Sequence, residues 1–388
     1  MSKVVVKDCH SYGQDELTQA VNDSVELIGG WDDYVHSGQK VLLKVNLIGP
    51  KTPESAAVTH CEFVRAIIKI LKQKGCIVWV GDSAGGAIAG LAPTTQAFEV
   101  SGLQRMALEE GAEIKNFDRE GVVEVTAPHT LQGTMFLAKP MYEADVVINL
   151  PKLKTHSAGM YTGAVKNLYG CIPGLKKAEY HRQAPNPKDL GHVIADIHEA
   201  TKVTLHIMDG VMGMQGEGPT AGQPYPAHKI LASADPLALD VVGAAMMGMS
   251  LVDVPILEAA AERGLGAFCL SEIEIVGDYA SPPLLKGYKL PKRFRSAKQR
   301  NYKALIKVID FLKARPVIHT GKCKHCNVCV ESCPMHAIDK KTKLINYSKC
   351  IECMCCHEFC MFKAVELRKE NRFAGVMMKI AGLFTSYK

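Results

Sequence analysis

Eight of the fourteen cysteines stand in two runs of one spacing, Cys323-x2-Cys326-x2-Cys329-x3-Cys333-Pro334 and Cys350-x2-Cys353-x2-Cys356-x3-Cys360. Three thiolates set two residues apart wrap one corner of an iron–sulfur cube in a tight turn, and the fourth of each run reaches across to the other cube. The spacing therefore predicts two [4Fe-4S] clusters, one held by Cys323, Cys326, Cys329 and Cys360, the other by Cys350, Cys353, Cys356 and Cys333. Zinc fits poorly, because four ligands per ion leave the third and trailing cysteines of each run without a purpose. Cys353-Met354-Cys355-Cys356-His357 also satisfies the C-x-x-C-H pattern of haem attachment, but Cys350 and Cys360 complete the cluster spacing around it. Cys355 reads as a bystander beside a cluster.

A second group of residues is cationic. Pro151-Lys-Leu-Lys-Thr-His156 follows the apolar run 144–150. Continued as an extended segment, it places Lys152, Lys154 and His156 on one side, with Thr155 offering a hydroxyl. Lys166-Asn167, Lys176-Lys177 and His181 follow in a glycine-rich stretch able to fold nearby. Ammonium and imidazole donors so grouped suit a carboxylate or phosphate, so an anionic small-molecule substrate is expected. Lys44 and Asn46 end another apolar run, and Asp82-Ser83 open a glycine-rich turn whose backbone donors suit phosphate. His156, His60 and His181 are the candidates to move a proton. The plain alternative for the K-x-K pair is solvated loop charge; Thr59 reads as a helix cap ahead of Glu62. The turn at 81–86 lacks both the dinucleotide fingerprint and the P-loop lysine, which disfavours nicotinamide. The stretch 208–219 reads as a glycine-rich loop in which Asp209 or Glu217 is a candidate metal ligand or acid/base, and Asp235 and Asp240 read as dipole partners at a helix start.

These residues need elements to position them. Val4–Val6, Val41–Val45, Ile77–Val80, Val146–Leu150 and Val203–Met208 are short runs rich in β-branched residues, suited to a sheet covered on both faces. Between them 14–28, 61–74, 94–110 and 189–202 carry apolar residues at helical steps. The pattern predicts an α/β domain over 1–285, with a layered, mostly parallel sheet that binds ligands beyond the carboxyl ends of its strands. A basic helical linker is expected over 286–316, a small α+β cluster-binding domain over 317–368, and an amphipathic tail over 369–388.

Charge divides the chain. Residues 286–388 carry 23 Lys and Arg against 7 Asp and Glu, and residues 1–285 carry 23 against 33. The basic stretch is read chiefly as a solvated helix packed on the cluster-binding module; docking of an acidic redox partner protein or an anionic membrane surface is a less favoured alternative. Nucleic acid is not expected, since no recognition motif accompanies the charge. The tail suits packing on a domain or in a homodimer, with a membrane surface as the less favoured alternative. No run approaches the roughly 20 apolar residues of a membrane span. The other six cysteines are scattered, as expected of a reducing cytoplasm.

Residues 321–368 resemble the bacterial two-cluster ferredoxins, including Ala337-Ile338 and Ala364-Val365 after the fourth cysteine of each run; Met361 stands where that family has proline. Lys44-Val-Asn-Leu47, Val58-Thr-His60, Gly81-Asp-Ser83, Asn149 to His156, Thr162 to Gly170, Asp209-Gly210, Gly216 to Pro219 and Ser233 to Asp240 together resemble the family called domain of unknown function 362, over about residues 3–280. That resemblance implies an iron–sulfur protein whose large domain has no general activity attached to it. Two functions are expected: an oxidoreductase in which the clusters exchange electrons with the bound anion, or a ferredoxin-type carrier whose α/β domain recognises a partner enzyme. A two-electron reaction calls for an intermediary that accepts single electrons, usually a flavin such as FMN, although no motif here demonstrates one. A loose fold-level similarity to lactate-racemase-like proteins is analogy alone.

Overall fold

A computed structural model describes residues 1–86, 92–174, 176–292, 294 and 314–369. The core of the expected basic linker and nearly all of the expected tail lie outside the described residues.

The chain opens with β1 (Ser2–Asp8), α1 (Gln14–Glu26), β2 (Lys40–Lys44), α2 (Cys61–Gln73) and β3 (Ile77–Asp82). Next come α3 (Thr94–Val100), α4 (Leu103–Glu109), β4 (Glu113–Asn116) and a hairpin of β5 (Val122–Thr126) and β6 (Thr134–Ala138). The central part holds α5 (Pro140–Glu143), β7 (Val146–Asn149), β8 (Lys152–His156), β9 (Met160–Thr162), α6 (Ala164–Asn167), α7 (Lys176–Gln183) and α8 (Pro187–Ala200). The large domain closes with β10 (Val203–Gln215), β11 (Gln223–Ser233), α9 (Pro236–Met246), α10 (Pro255–Glu262) and β12 (Ile273–Gly277).

Strand order is β12-β1-β11-β10-β7-β2-β3-β4, with β8 pairing β10 and β9 extending β8. From β10 through β7, β2, β3 and β4 every pair is parallel, while β11 runs antiparallel to both its neighbours. The mostly parallel α/β sheet expected from the chain is what forms. Period-two alternation sends Val41, Leu43, Val78 and Val80 to a core under α1 and α2. Leu42 and Trp79 point to the opposite core, which α8, α9 and α10 cover. Burial of apolar side chains on both faces is why these strands are nearly continuous in β-branched residues.

Three local outcomes differ from the sequence reading. The helix expected over 94–110 breaks into α3 and α4 at Gly102, whose φ of +76° no helix continues through. The loop expected over 208–219 is largely strand, because β10 runs on to Gln215 and pairs with β11. Its glycines serve close approach: a Cβ on Gly210 would stand 2.7 Å from the Lys229 carbonyl oxygen, and one on Gly213 3.0 Å from that of Leu153. Asp240 lies within α9 while Asp235 caps its start, accepting from the Leu237 and Ala238 amides.

The small C-terminal region is closed by β13 (Ala314–Ile318) pairing antiparallel with β14 (Val365–Lys369), and contains two single turns, α11 (Val328–Glu331) and α12 (Cys355–Glu358). Its buried apolar side chains are few, Val328, Ala337, Ile338, Met354, Ala364, Val365 and Leu367 among the described residues, with Ala158 of the large domain packed against Met354 and Leu367.

Candidate functional site

The small region repeats its backbone as it repeats its cysteines. His325 and Glu352, Asn327 and Met354, and His336 and Lys363 hold matching positions in the two runs, and all six adopt positive φ. The Ala337 and Ala364 amides each donate to the sulfur of the fourth cysteine of their run at 3.2 Å. Cys323, Cys326, Cys329 and Cys360 surround one small cavity, and Cys333, Cys350, Cys353 and Cys356 surround another. Among the described residues no three His, Cys, Asp or Glu side chains converge as one metal ion would require. Four thiols around the first cavity, and four around the second beside Cys355, fit a cube at each rather than a single ion.

The parallel strands deliver their last residues to one edge. In register, Lys44 lies beside Asn149 and Gly81, and His206 beside Asn149. Beyond that edge, capped by the small region, is a cavity of about 90 Å³. Asn46, Asp82, Ser83, Lys154, Lys166, Asn167, Lys177 and His181 line it from the large domain, and Cys355, Glu358 and Phe359 from the other side. The two parts are closely fitted. A Cβ on Gly85 would stand 2.3 Å from a Phe359 ring carbon, and Thr220 donates to the Glu358 carbonyl oxygen at 2.5 Å.

Four buried lysines and the half-buried Lys166 surround this region in different chemical states. Lys44 pairs with Asp82 at 3.0 Å and Lys152 with Asp209 at 2.7 Å. Lys177 donates to the Ser83 carbonyl and hydroxyl oxygens, each at 2.7 Å, and burial lowers its pKa to about 8. Lys154 faces only neutral acceptors, Asn46 Oδ1 and the Ala57 carbonyl oxygen, each at 2.7 Å. Burial, reinforced by the charges of Lys166 and Lys152, holds it well below the ordinary lysine pKa. Lys166 makes no hydrogen bond or ion pair with a described residue; its Nζ lies 6.0 Å from the Tyr169 ring centroid, and burial lowers its pKa too.

A chain of amides fixes the floor. Lys154 donates to Asn46 Oδ1, Asn46 Nδ2 to Asn167 Oδ1 at 2.9 Å, and Asn167 Nδ2 to Asn149 Oδ1 at 2.7 Å. Asn149 Nδ2 lies 3.0 Å from His206 Nδ1. With every amide oriented in this sense, His206 must accept at Nδ1, and burial keeps it neutral by lowering its pKa to about 3.

His156 is bound on both ring atoms. Its Nδ1 accepts from the Ala158 and Gly159 amides at 3.1 and 3.0 Å, which leaves the proton on Nε2, 3.1 Å from Glu358 Oε1. The angles there do not meet hydrogen-bond geometry, so the pair is an electrostatic contact. Proximity to His156 and Lys166 holds the Glu358 carboxyl far below its usual pKa despite burial. His181 makes no hydrogen bond to a described residue and meets Tyr169 edge-on at 5.5 Å between centroids. Burial lowers its pKa to about 4.

Of the expected site residues, Asn46, Asp82, Ser83, Lys154, Lys166, Asn167 and His181 meet around one cavity. His156 lies in an adjoining groove of about 390 Å³, which Lys166 and His181 also line. The others stand apart. Lys152, Lys154 and His156 are 0%, 0% and 2% exposed, so they form no cationic surface, and each reaches a different partner. Lys44 is tied to Asp82 and backbone oxygens. His60 stacks on Tyr12, and its ring accepts from the Glu62 amide as the cap of α2, the role expected of Thr59. Thr155 donates to the Met214 carbonyl oxygen. Asp209 accepts from Tyr12, Lys152 and the His60 amide, and Glu217 from Ser157 and the Lys292 amide. Cys355 lines both the strand-end cavity and the second cysteine cavity. Glu358 escaped the sequence reading. Its signal was a carboxylate two residues from each of two cluster cysteines, a place where its charge needs a cation from elsewhere in the fold.

A mixed α/β domain with a large, mostly parallel sheet, followed by a small ferredoxin-type region, defines the class of protein. Residues 315–361 match the 4Fe-4S dicluster domain, and residues 41–245 match the family described as Domain of unknown function (DUF362). The chain belongs to that family. It is 30% identical over 330 residues to the thylakoid-associated protein sll1697 of Synechocystis sp. (strain ATCC 27184 / PCC 6803 / Kazusa), a match spanning 80% of this chain and 96% of that protein. Among solved structures, the lactate racemase apoprotein from Thermoanaerobacterium thermosaccharolyticum matches 53% of this chain and 50% of that chain at 13% identity, with a TM-score of 0.32. No helix among the described residues is long and apolar enough to cross a membrane.

Proposed function

We propose that the protein is a cytoplasmic iron–sulfur oxidoreductase whose strand-end cavity binds an organic anion and exchanges electrons with it. One observation carries the reading: a single cavity is walled on one side by Lys154, Lys166, Asn167 and His181 and on the other by Cys355, Glu358 and Phe359 of the cysteine-bearing turns. Two [4Fe-4S] clusters, held by the eight cysteines in the crossed sets above, supply one electron each, the number a two-electron reaction needs.

The chain's own residues divide the remaining work. Lys166, with no hydrogen-bond or ion-pair partner among the described residues, takes the anion. Lys154, Asn46 and Asn167 hold a neutral, oriented donor–acceptor surface beneath it. His181, neutral near pH 7 and without a hydrogen-bond partner among the described residues, moves the proton. His156 is committed to its backbone donors and Glu358 and serves to join the two domains. A volume of about 90 Å³ is too small for the three-ring system of a flavin, so FMN fits this reading only in the adjoining groove. Electrons arrive from, or leave to, a redox partner protein.

The test is anaerobic reoxidation of dithionite-reduced holoprotein, followed by cluster absorbance. A 2-oxo acid such as pyruvate, or FMN, is expected to reoxidise wild-type protein faster than Lys166→Ala protein of equal iron content. Reoxidation by a protein acceptor alone, indifferent to Lys166, supports the carrier and overturns the enzyme.

A further inference from the structure

The cavity and the groove share two residues, Lys166 and His181. Past this junction the groove has a different character. Its large-domain wall is Ala184, Pro185, Pro187, Leu190 and Ile256, and its opposite wall is formed by Cys350, Ile351 and Cys353. Apart from Asn186, Glu352 and the sulfurs of Cys350 and Cys353 the outer part is apolar. Asn186 Oδ1 is already used in accepting from the Asp189 amide at 2.8 Å, and Glu352 pairs with Arg315 at 3.2 Å.

We propose that this groove holds the apolar body of a small amphiphilic anion, a carboxylate or phosphate monoester whose head is taken by Lys166 and His181. The inference rests on the anion reading above and adds the class of molecule. Size separates the two spaces. About 390 Å³ falls within the range of pockets that hold small organic ligands, whereas about 90 Å³ receives only a head group or a few atoms. Charge sets the orientation. Lys166 is the one of these five lysines with no hydrogen-bond or ion-pair partner among the described residues, and it stands where the polar and apolar spaces join. A half-buried ammonium group gains from an anion at that point, while walls of proline, leucine and isoleucine gain from hydrocarbon and offer a sugar or peptide few hydrogen bonds. A body lying there touches Cys350 and Cys353 directly. The part of the ligand next to its anionic head is thus the part nearest the thiolates of the second proposed cluster.

The experiment compares matched probes on holoprotein with both clusters reconstituted: acetate against benzoate, and inorganic phosphate against phenyl phosphate, by calorimetry and thermal shift. Each phenyl-bearing probe is expected to bind about tenfold tighter than its head group alone, from the apolar area it buries. Lys166→Ala is expected to weaken all four, and the tighter of benzoate and phenyl phosphate identifies the head. Pro185→Phe, at an exposed position on the groove wall, is expected to bring the ratio within each pair close to one, and Ala184→Phe to act likewise from deeper in the groove. Equal affinity within both pairs for wild-type protein overturns the groove proposal and leaves the anion site standing. Binding that is absent for every probe, or indifferent to Lys166→Ala, overturns both.

Discussion

His156 Nε2 and Glu358 Oε1, from opposite domains, lie 3.1 Å apart with both side chains nearly inaccessible to water. The histidine is neutral in this pair and the glutamate is charged, so the two sides have unequal stakes. Removing the imidazole takes a neighbour from a buried carboxylate; removing the carboxylate takes only an electrostatic contact from an N–H that makes no hydrogen bond. His156→Ala is therefore expected to cost about 3–5 kcal/mol and Glu358→Gln about 1–3 kcal/mol, measured by thermal unfolding at equal cluster content. Equal losses, or the reverse order, would show that the contact carries no charge asymmetry.

Asn167 is the most connected amide of the floor. Its side chain donates to the Val45 carbonyl oxygen and to Asn149, and accepts from Asn46. Asn167→Ala leaves several buried groups without partners, for an expected loss of about 2–4 kcal/mol. Ser55→Ala, whose hydroxyl bonds at an exposed turn, provides the control and is expected to change stability by less than about 0.5 kcal/mol. Denaturant unfolding of the two variants beside wild type measures the contrast.

Asp240 organises the turn that presents Lys166. Its carboxylate accepts from the Ala164 and Val165 amides at 2.6 and 2.8 Å and from the Tyr161 hydroxyl at 3.2 Å, yet burial raises its pKa from 3.8 to about 7. Between those values the folded chain holds more protons than the unfolded chain, so this group's contribution to stability falls as pH rises through the window and is level above it. Measured against Asp240→Asn, wild-type protein should lose relative stability between about pH 4 and about pH 7 and no further above it. A difference that stays constant, or grows in favour of wild type, contradicts the assignment.

The crossed cysteine sets make a pairwise prediction. Cys360→Ala should remove the same cluster as Cys323→Ala, and Cys333→Ala the same cluster as Cys350→Ala, each with loss of about half the bound iron. Electron paramagnetic resonance of the reduced variants distinguishes the two signals. If Cys360→Ala instead matches Cys350→Ala, each run closes its own cluster.

Much of the large domain could be read from the chain because its parallel strands are buried on both faces. A run such as Val-Leu-Leu in β2 has no competing explanation once helices cover both sides. The β10–β11 hairpin was hidden because Gly210 and Gly213, read as loop formers, are there to let β8 and β11 come close. The strand-end location of the site followed from the sheet. The charge state of its lysines did not: Lys152 and Lys154 look alike in sequence, and only distant Asp209 and Asn46 decide that one is an ion pair and the other a suppressed amine. Glu358 and Cys355 were hidden for a related reason, since their importance arises from docking against the large domain.

The few buried apolar side chains of the small domain bear on how the protein matures. Met354 and Leu367, helped by Ala158 from across the interface, join only a few other buried apolar side chains, among them Val328, Ile338 and Val365, so clusters held by the cysteines would add much of the region's cohesion. Yet this region brings Cys355, Glu358 and Phe359 to the cavity, and Glu331 and Ser332 from the other cysteine run. A chain awaiting its iron would have a finished sheet and an unfinished pocket, with His156 and Lys166 facing no carboxylate. On the proposed reading, ligand capture would then begin only once metallation is complete.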